Sequence, residues 1–267
     1  MSTELPAVRV EGIGFWASWL PGWDIARAVI RGEQAAPETV SARPAPTLLA
    51  PTERRRAPDT VAVALEVASK ACESAGRAPA DLPSVFASTH GDLAISDYMC
   101  ATLAATPTLI SPVKFHNSVH NAAAGYWSIG AGSYAPYTAL SAFQYTFGVG
   151  LLEAVTQVAC EDRPVLYVAF DIEAKGPLGT IAPSRGLLGA ALVLGPASAD
   201  RQGRKLALRV GTGNPPAPTP ARSAAVALVG DNALAPCLPL FEALAAKDAS
   251  TTAFQLSEHM FLHVCVS

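Results

Sequence analysis

Charged residues are scarce in this sequence. Asp, Glu, Lys and Arg make up 15% of its 267 residues, whereas about 25% is usual for soluble domains. Hydrophobic residues make up 50%, and the formal net charge is −3 without a basic stripe. This balance does not favour nucleic-acid binding, which needs concentrated positive charge. A surface so poor in charge is often covered in part by a partner, and we expect that here.

Disulfide pairs, a leader peptide and a membrane span are not indicated either. The cysteines are odd in number, form no C-x-x-C pair and are scattered over positions Cys72, Cys100, Cys160, Cys237 and Cys265. The opening "MSTELPAVRVEG" has neither a basic n-region nor an apolar h-region. No unbroken apolar run reaches the ~18 residues of a transmembrane helix. These absences predict a cytoplasmic protein with reduced thiols.

Motifs for cofactors and hydrolase chemistry are missing. "GIGFWASW" lacks the third glycine of G-x-G-x-x-G, and neither G-K-[ST] nor G-x-S-x-G occurs. Two histidines lie four residues apart in "KFHNSVHN", but no acidic residue follows to complete a metal site. We therefore expect no cofactor and no metal. For the polar residues of this segment we predict structural hydrogen bonds: His116, Ser118, His120 and Asn121.

Positive charge is concentrated only in Arg54, Arg55 and Arg56, within a Pro-rich stretch. One interpretation is a solvated turn, and the other is a docking patch for an acidic partner such as a carrier protein. The sequence favours the turn.

Hydrophobic periodicity alternates between strand and helix along the chain, which predicts an α/β fold. Strands are predicted at 7–16, 82–89, 133–140, 164–171, 186–195 and 205–213, the last two as a hairpin, with one more at the end of the chain. Helices are predicted at 22–33, 59–75, 96–105, 118–128 and 149–159, followed by one or two near the end. Ser96 and Ser118 are the predicted caps, and Gly76, Gly130 and Gly132 the predicted stops.

Several segments occur in an order and spacing that resemble the β-ketoacyl synthases of the thiolase fold: "VRVEGIGFWASW", "FASTHGD", "FHNSVHNAAAGYWSIGAGSY" and "LLEAVTQVACEDRPVLYVAFD". The resemblance ends with "GAALVL", which is similar to the family's Gly-x-Gly-x-x-Leu-Val-Leu strand. It implies a thiolase-like layered α/β fold, the α-β-α half of the five-layer architecture, with a truncated C-terminal half. We accordingly predict a ketosynthase-like N-terminal half at 1–213 and a short C-terminal extension at 214–267 that packs on the same domain.

The resemblance also locates the family's nucleophile, a cysteine in Ala-Cys-x-Ser at the start of a buried helix. The helix N-terminus lowers the pKa of such a thiol, so that it can accept an acyl chain. An ungapped count from "EAVTQVA" and "VLYVAFD" places Gln144 at this position, and a shift of three residues would place Ser141 there. Glutamine cannot accept an acyl chain. The chain-length-factor subunits of type II polyketide synthases are known for glutamine at this point.

The C-terminal histidines of ketosynthases have no counterpart in the sequence. The family uses one histidine within His-Gly-Thr-Gly-Thr and a Gly-Phe-Gly-Gly loop, and neither motif is present. His259 and His263 are not followed by Gly-Thr, and we interpret them as strand-edge residues. Condensation needs the nucleophile and the histidines together. The resemblance therefore implies that this chain has no catalytic residue.

The resemblance implies a non-catalytic subunit that pairs with an active full-length β-ketoacyl-ACP synthase, as in polyketide, aryl polyene or fatty-acid-like biosynthesis. In this heterodimer the segment 134–140 would pair with a strand of the partner, and an acyl carrier protein would be involved indirectly. Candidate interface or tunnel residues, each also consistent with core packing, are Met99, Tyr134, Tyr137, Leu140, Phe143, Tyr145 and Phe147.

Two alternatives stay open at this stage. One is a divergent, active β-ketoacyl-ACP synthase or acyltransferase that uses Ser141 or Ser118 as its nucleophile. The other is a stand-alone scaffolding homodimer that reuses half of the fold.

Overall fold

The computed structural model describes residues 2–217 and 219–267, which form nine strands and ten helices. The strands are β1 Ser2–Glu4, β2 Val8–Ala17, β3 Ser84–Ala87, β4 Tyr137–Leu140, β5 Val165–Asp171, β6 Leu188–Pro196, β7 Lys205–Thr212, β8 Ser250–Ser257 and β9 Met260–Val266. The helices are α1 Trp23–Ile30, α2 Pro51–Arg56, α3 Asp59–Ala75, α4 Leu93–Ala105, α5 Pro112–Asn117, α6 Ala122–Ala131, α7 Thr146–Glu161, α8 Leu178–Ile181, α9 Ala225–Val229 and α10 Leu238–Ala245.

The strands form one sheet in the order β4-β3-β5-β6-β2-β7-β9-β8, with β1 paired to β7. β3 is parallel to β4 and β5, whereas β6 is antiparallel to both of its neighbours. The predicted hairpin of 186–195 with 205–213 is wrong, because β6 inserts between β5 and β2 while β7 pairs with β2 and β9. Every residue of β5 is buried, as predicted for a central strand.

Helices cover both faces of the sheet. α3 and α6 lie on one face, over an apolar cluster that includes Trp16, Phe86 and Trp127. α1, α7 and α10 lie on the other face, over a second cluster that includes Phe15 and Phe241. The resulting α-β-α layers confirm the predicted fold class.

Gly12 and Gly14 of β2 allow α3 to approach the sheet closely. The strand predicted at 7–16 is confirmed, and β2 runs through both glycines to Ala17. A Cβ atom on Gly14 would lie 2.0 Å from the carbonyl oxygen of Val67, and one on Gly12 would lie 2.2 Å from that of Ala71. The helix backbone therefore occupies the space that side chains would need at these two positions.

The predicted helix caps Ser96 and Ser118 are wrong. α4 begins three residues before Ser96, and Asp92 caps it by accepting a hydrogen bond of 2.9 Å from the Ile95 N–H. Of the helix predicted at 118–128, only the part from Ala122 is helical, as α6, and Ser118 lies directly after α5. Its hydroxyl donates to the carbonyl of Phe115.

The predicted stops at Gly76 and Gly132 are confirmed, whereas the stop predicted at Gly130 is wrong, because α6 continues through it to Ala131. Both helices end at a glycine in the left-handed conformation, Gly76 with φ 60° and Gly132 with φ 62°. Such a residue lets the chain turn away while the last carbonyls keep their hydrogen bonds. None of the helices that the described residues form has the length and apolar character that a bilayer crossing requires.

The arginine triplet lies on the short helix α2 rather than in a loop. Pro51 occupies the first turn, where a missing N–H costs no hydrogen bond. Arg54 donates to the carbonyl of Leu49, whereas Arg55 and Arg56 are exposed and have no hydrogen bond or ion pair with the residues described. All three arginines lie in the last turn of α2, where the helix dipole stabilises positive charge.

A buried carboxylate joins three distant parts of the chain. The Glu11 side chain on β2 is 1% exposed and accepts two hydrogen bonds, of 2.8 and 3.0 Å, from the Arg77 guanidinium after α3. Arg201, between β6 and β7, approaches the same carboxylate at 3.4 Å. Nothing in the sequence indicated this cluster, because its members are far apart along the chain.

Residues 219–267 contribute two strands, where the sequence predicted one. β9 pairs with β7 on one side and with β8 on the other, so His263 is not at a strand edge as predicted. The start of α7 covers the free side of β8: a Cβ atom on Gly148 would lie 3.1 Å from the carbonyl oxygen of Gln255. On the same strand the Ala253 N–H donates to Thr219. The domain boundary at 213 stays a prediction.

Candidate functional site

The elbow turn, residues 141–146, joins β4 to α7. Phe143 has φ 52°, a left-handed conformation that is uncommon for a bulky residue. The Thr146 hydroxyl holds the turn, because it accepts from the Ala142 N–H at 3.0 Å and donates to the Phe143 carbonyl at 2.6 Å. The sharp turn lies one residue before Gln144.

The Gln144 side chain is exposed and has no hydrogen bond with any residue described. It opens into the elbow cavity, of about 340 Å³, whose opposite wall includes Thr219, Pro236 and Gln255. The lining residues include neither cysteine nor histidine. Cys237 follows Pro236, but it is buried, and burial raises the pKa of its thiol. The cavity therefore offers amide groups and apolar walls, and no thiolate.

The two serines considered as nucleophiles both donate to backbone carbonyls. Ser141 Oγ donates to Thr89 at 3.1 Å, and Ser118 Oγ donates to Phe115 at 2.8 Å. Within the described part of the chain, neither hydroxyl is hydrogen-bonded to a histidine or carboxylate that could remove its proton.

His116 and His120 contact different neighbours. His120 Nε2 lies 2.8 Å from the carbonyl oxygen of Ser88, and its partner is thus part of the backbone. The His116 ring stands edge-on to Tyr126, with ring centroids 5.7 Å apart. Asn121 donates a longer hydrogen bond, of 3.4 Å, to the hydroxyl of Tyr137.

Exposed apolar side chains are concentrated between residues 103 and 143. We call this set the apolar face: Leu103, Leu109, Val113, Phe115, Val119, Ile129, Tyr134, Tyr137 and Phe143. Ile129 is 80% exposed and Phe143 57%. A groove of about 520 Å³ runs between α5, α6 and α2, with Val113 and Val119 among its walls. Large exposed apolar patches are typical of surfaces that another molecule covers.

β4 is an open edge of the sheet, since it pairs with β3 alone. The carbonyls of Pro136 and Leu140 accept from the N–H groups of Ser84 and Ser88 in or beside β3. Because backbone groups alternate along a strand, the N–H and C=O of Ala139 point to the open side. Such an edge is a template for a strand of another chain.

The predicted interface residues differ in accessibility. Tyr134, Tyr137 and Phe143 are exposed, as an interface requires. Met99, Leu140 and Tyr145 are half-buried. Phe147 is 4% exposed, packs against Tyr167 and Phe254, and also lines the elbow cavity.

The sequence did not single out Asp171, the last residue of β5. Its side chain is fully buried, and this burial raises its pKa despite hydrogen bonds from Ser88, Thr89 and His90. Its carbonyl accepts from the Asn232 amide at 3.2 Å. The sequence did contain one signal for this residue, since Asp171 is the acidic end of the otherwise apolar strand "VLYVAFD".

The sequence model of a protein family, described as β-ketoacyl synthase, N-terminal domain, matches residues 29–228. The chain belongs to this family. The match covers most of the chain, begins after β2 and extends beyond "GAALVL", so it confirms the family resemblance but not its limits. No curated protein sequence matches the chain.

Solved structures of ketosynthase complexes have the same fold. A chain of the ketosynthase ApeO in complex with its chain length factor ApeC, from Xenorhabdus doucetiae, matches with a TM-score of 0.71 and 18% identity over 97% of this chain and 98% of that one. The ishigamide ketosynthase/chain length factor gives 0.70 and 16%, over 98% and 99%. AntDE:AntF, a type II PKS acyl-carrier protein in complex with its ketosynthase bound to the hexaketide, gives 0.75 and 11%, over 98% and 99%. At these low sequence identities, the structural similarity establishes that this chain has the thiolase-like fold of the ketosynthases.

Proposed function

We propose that this chain is a non-catalytic, chain-length-factor-type subunit that pairs with an active β-ketoacyl-ACP synthase. The observation that carries the proposal is the open edge of β4, which lies within the apolar face and next to an elbow that has no cysteine. The edge and the face are suited to a partner, and the elbow lacks the group that accepts an acyl chain.

The structural neighbours support this choice of partner. Two of them are described as ketosynthases together with a chain length factor, and a third as a ketosynthase with its acyl-carrier protein. By analogy, the partner of this chain is a full-length ketosynthase, and the acyl carrier protein reaches the complex indirectly. Polyketide, aryl polyene and fatty-acid-like biosynthesis are the proposed settings, in the cytoplasm.

The proposed influence on chain length comes from side chains beside the shared edge. Phe143 projects from the elbow turn, and Tyr137 projects from β4. Rigid aromatic side chains at a subunit contact can close one end of an acyl tunnel, because they lose little conformational freedom when they are buried. Met99 and Tyr145 are proposed as further wall residues.

Co-expression with a full-length ketosynthase of the same organism tests the pairing directly. We expect the two chains to co-purify as a stable heterodimer, with a mass that corresponds to one copy of each. A tagged chain that purifies without the ketosynthase and forms a homodimer instead would support the scaffolding alternative and contradict the proposal.

Gln144→Ala is expected to leave condensation by the complex within about threefold of wild type, because an amide at the elbow supplies neither nucleophile nor base. Product length or assembly is the property that should change. The measurement is product profiling by mass spectrometry with carrier-protein substrates. Loss of condensation in a complex that stays assembled would contradict a passive role, as would an acyl adduct on Ser141 or Ser118.

Cysteine accessibility gives an independent map of the contact. Cys100 on α4, Cys160 and Cys265 are exposed, whereas Cys72 and Cys237 are buried. Burial raises the pKa of Cys72 to about 12, so this thiol should not react. We expect a maleimide to label the three exposed thiols of the free chain. In the complex Cys100 should be protected while Cys265 still reacts, as measured by peptide mass spectrometry. Equal labelling of both thiols in a verified complex would exclude contact at α4.

A further inference from the structure

Asp171 places a carboxylate where solvent does not reach it. Oδ1 accepts from the Ser88 hydroxyl at 2.9 Å and from the His90 N–H at 3.2 Å, and Oδ2 accepts from the Thr89 N–H at 3.1 Å. None of the ion pairs formed by the described residues includes this carboxylate. All three donors belong to residues 88–92, which join β3 to α4 and which we call the anchor loop.

The anchor loop also receives hydrogen bonds from two other parts of the molecule. His120, between α5 and α6, bonds to the carbonyl of Ser88, and Ser141 of the elbow turn donates to that of Thr89. Within the loop the Gly91 N–H donates to Ser88 Oγ at 2.8 Å. β5, the α5–α6 connection and the elbow therefore meet at one loop.

Residues 93–117, which we call the helical excursion, leave the sheet at the anchor loop and return at His120. Among them only Leu93 and Ile95, at the start, and Asn117, at the end, are buried. The middle of the excursion therefore adds little apolar burial to hold it in place. Its orientation depends on how firmly its two ends are held.

The excursion carries four members of the apolar face: Leu103, Leu109, Val113 and Phe115. A partner that covers these side chains must meet the excursion in one orientation. If the excursion moves, association must also order it, and the entropy cost weakens the affinity.

We propose that Asp171 is a positioning residue for partner binding, because it fixes the anchor loop and thereby holds the helical excursion in the orientation that the partner receives. The identity of the partner rests on the proposed function, but the effect on the excursion does not. Asp171 acts through the loop, since a fully buried side chain cannot touch another chain.

Asp171→Asn tests this inference, because asparagine keeps the size of the side chain but replaces one acceptor oxygen with a donor amide. Glu11→Gln is the matched control: it alters the other buried carboxylate, which bonds to Arg77 and Arg201 instead of the loop. Hydrogen exchange of the isolated chain is the first measurement. We expect residues 93–117 to exchange roughly tenfold faster in Asp171→Asn but not in Glu11→Gln. Unchanged exchange there, or equal loosening in both variants, overturns the inference.

Affinity for the ketosynthase is the second measurement, at a temperature where both variants are folded. Asp171→Asn should weaken binding by about tenfold or more, and Glu11→Gln by less than about threefold. Equal affinities of Asp171→Asn and wild type overturn the inference. If wild type itself does not bind, the proposed partner is wrong, and the exchange comparison alone decides the role of Asp171. If Asp171→Asn does not fold, Ser88→Ala takes its place in both measurements, because it removes one of the three hydrogen bonds to the Asp171 carboxylate.

Discussion

Ala139→Pro is expected to weaken association with the ketosynthase by roughly 100-fold or more while the chain itself stays folded. Proline removes one backbone N–H and restricts the residue before it to extended conformations. The N–H of Ala139 points to the open side of β4, so no hydrogen bond to β3 is lost, and Thr138 is already extended within β4. Any strand that the partner adds at this edge loses a hydrogen bond and meets the ring.

Ala139→Val is the matched control, because it enlarges the same side chain but keeps the N–H. Circular dichroism and thermal unfolding verify that both variants fold, and analytical ultracentrifugation with the ketosynthase measures association. Near wild-type binding of Ala139→Pro would show that the partner does not pair with β4. Equal losses in both variants would show that side-chain packing, rather than backbone pairing, makes the contact.

Replacement of both Arg77 and Arg201 by methionine is expected to lower the free energy of unfolding by about 3 kcal/mol. The two changes leave the Glu11 carboxylate, whose side chain is 1% exposed, without an opposite charge. An unpaired buried charge costs far more than the pair contributes. The arginines are 28% and 36% exposed, so water can partly replace them, and the expected loss is at the low end of the usual range. Urea unfolding measures it.

A triple variant that adds Glu11→Met separates charge from packing. With the carboxylate removed, most of the lost free energy of unfolding should return, because no buried charge is left without a partner. A triple variant as unstable as the double variant would attribute the loss to the arginine side chains themselves. Arg201 also donates to the carbonyl of Ala75, so a small residual loss is expected.

The sequence predicted the fold class, the central strand β5 and the left-handed stops of α3 and α6. These features depend on local signals: a continuous apolar run and a glycine after the last helical turn. The same kind of local signal failed at Ser96 and Ser118, because a nearby Asp92 caps α4 better and because the chain breaks between α5 and α6. Capping preferences are small and are decided by where the helix packs.

The predicted hairpin failed for a non-local reason. Neighbouring strands separated by a polar turn usually pair, but β6 is apolar along almost its whole length and is buried between β5 and β2. β7 alternates between buried and exposed residues and lies farther out. Strand order follows from how much apolar surface each strand must bury, which the distance along the chain does not encode.

The anchor loop and the Glu11 cluster could not be predicted from the sequence, also for a non-local reason. Glu11 and Arg201 lie 190 residues apart along the chain, and Ser88 and Asp171 lie 83 residues apart. A single polar residue in the sequence does not indicate its partner, and only the folded backbone brings the two together. The elbow position at Gln144, inferred from the register of α7 and β5, stays a prediction, and the structure places a left-handed residue beside it at Phe143.

The two edge strands of the main sheet, β4 and β8, differ in whether another strand can reach them. This difference limits how many chains can join through the sheet. A protein with an open strand at both ends can add copies without limit and form a fibre. Here β4 is open, while the start of α7 lies against β8 and Thr219 takes up the N–H of Ala253. If a partner strand pairs with β4, we therefore expect growth to stop after one addition and to give a finite particle instead of a filament.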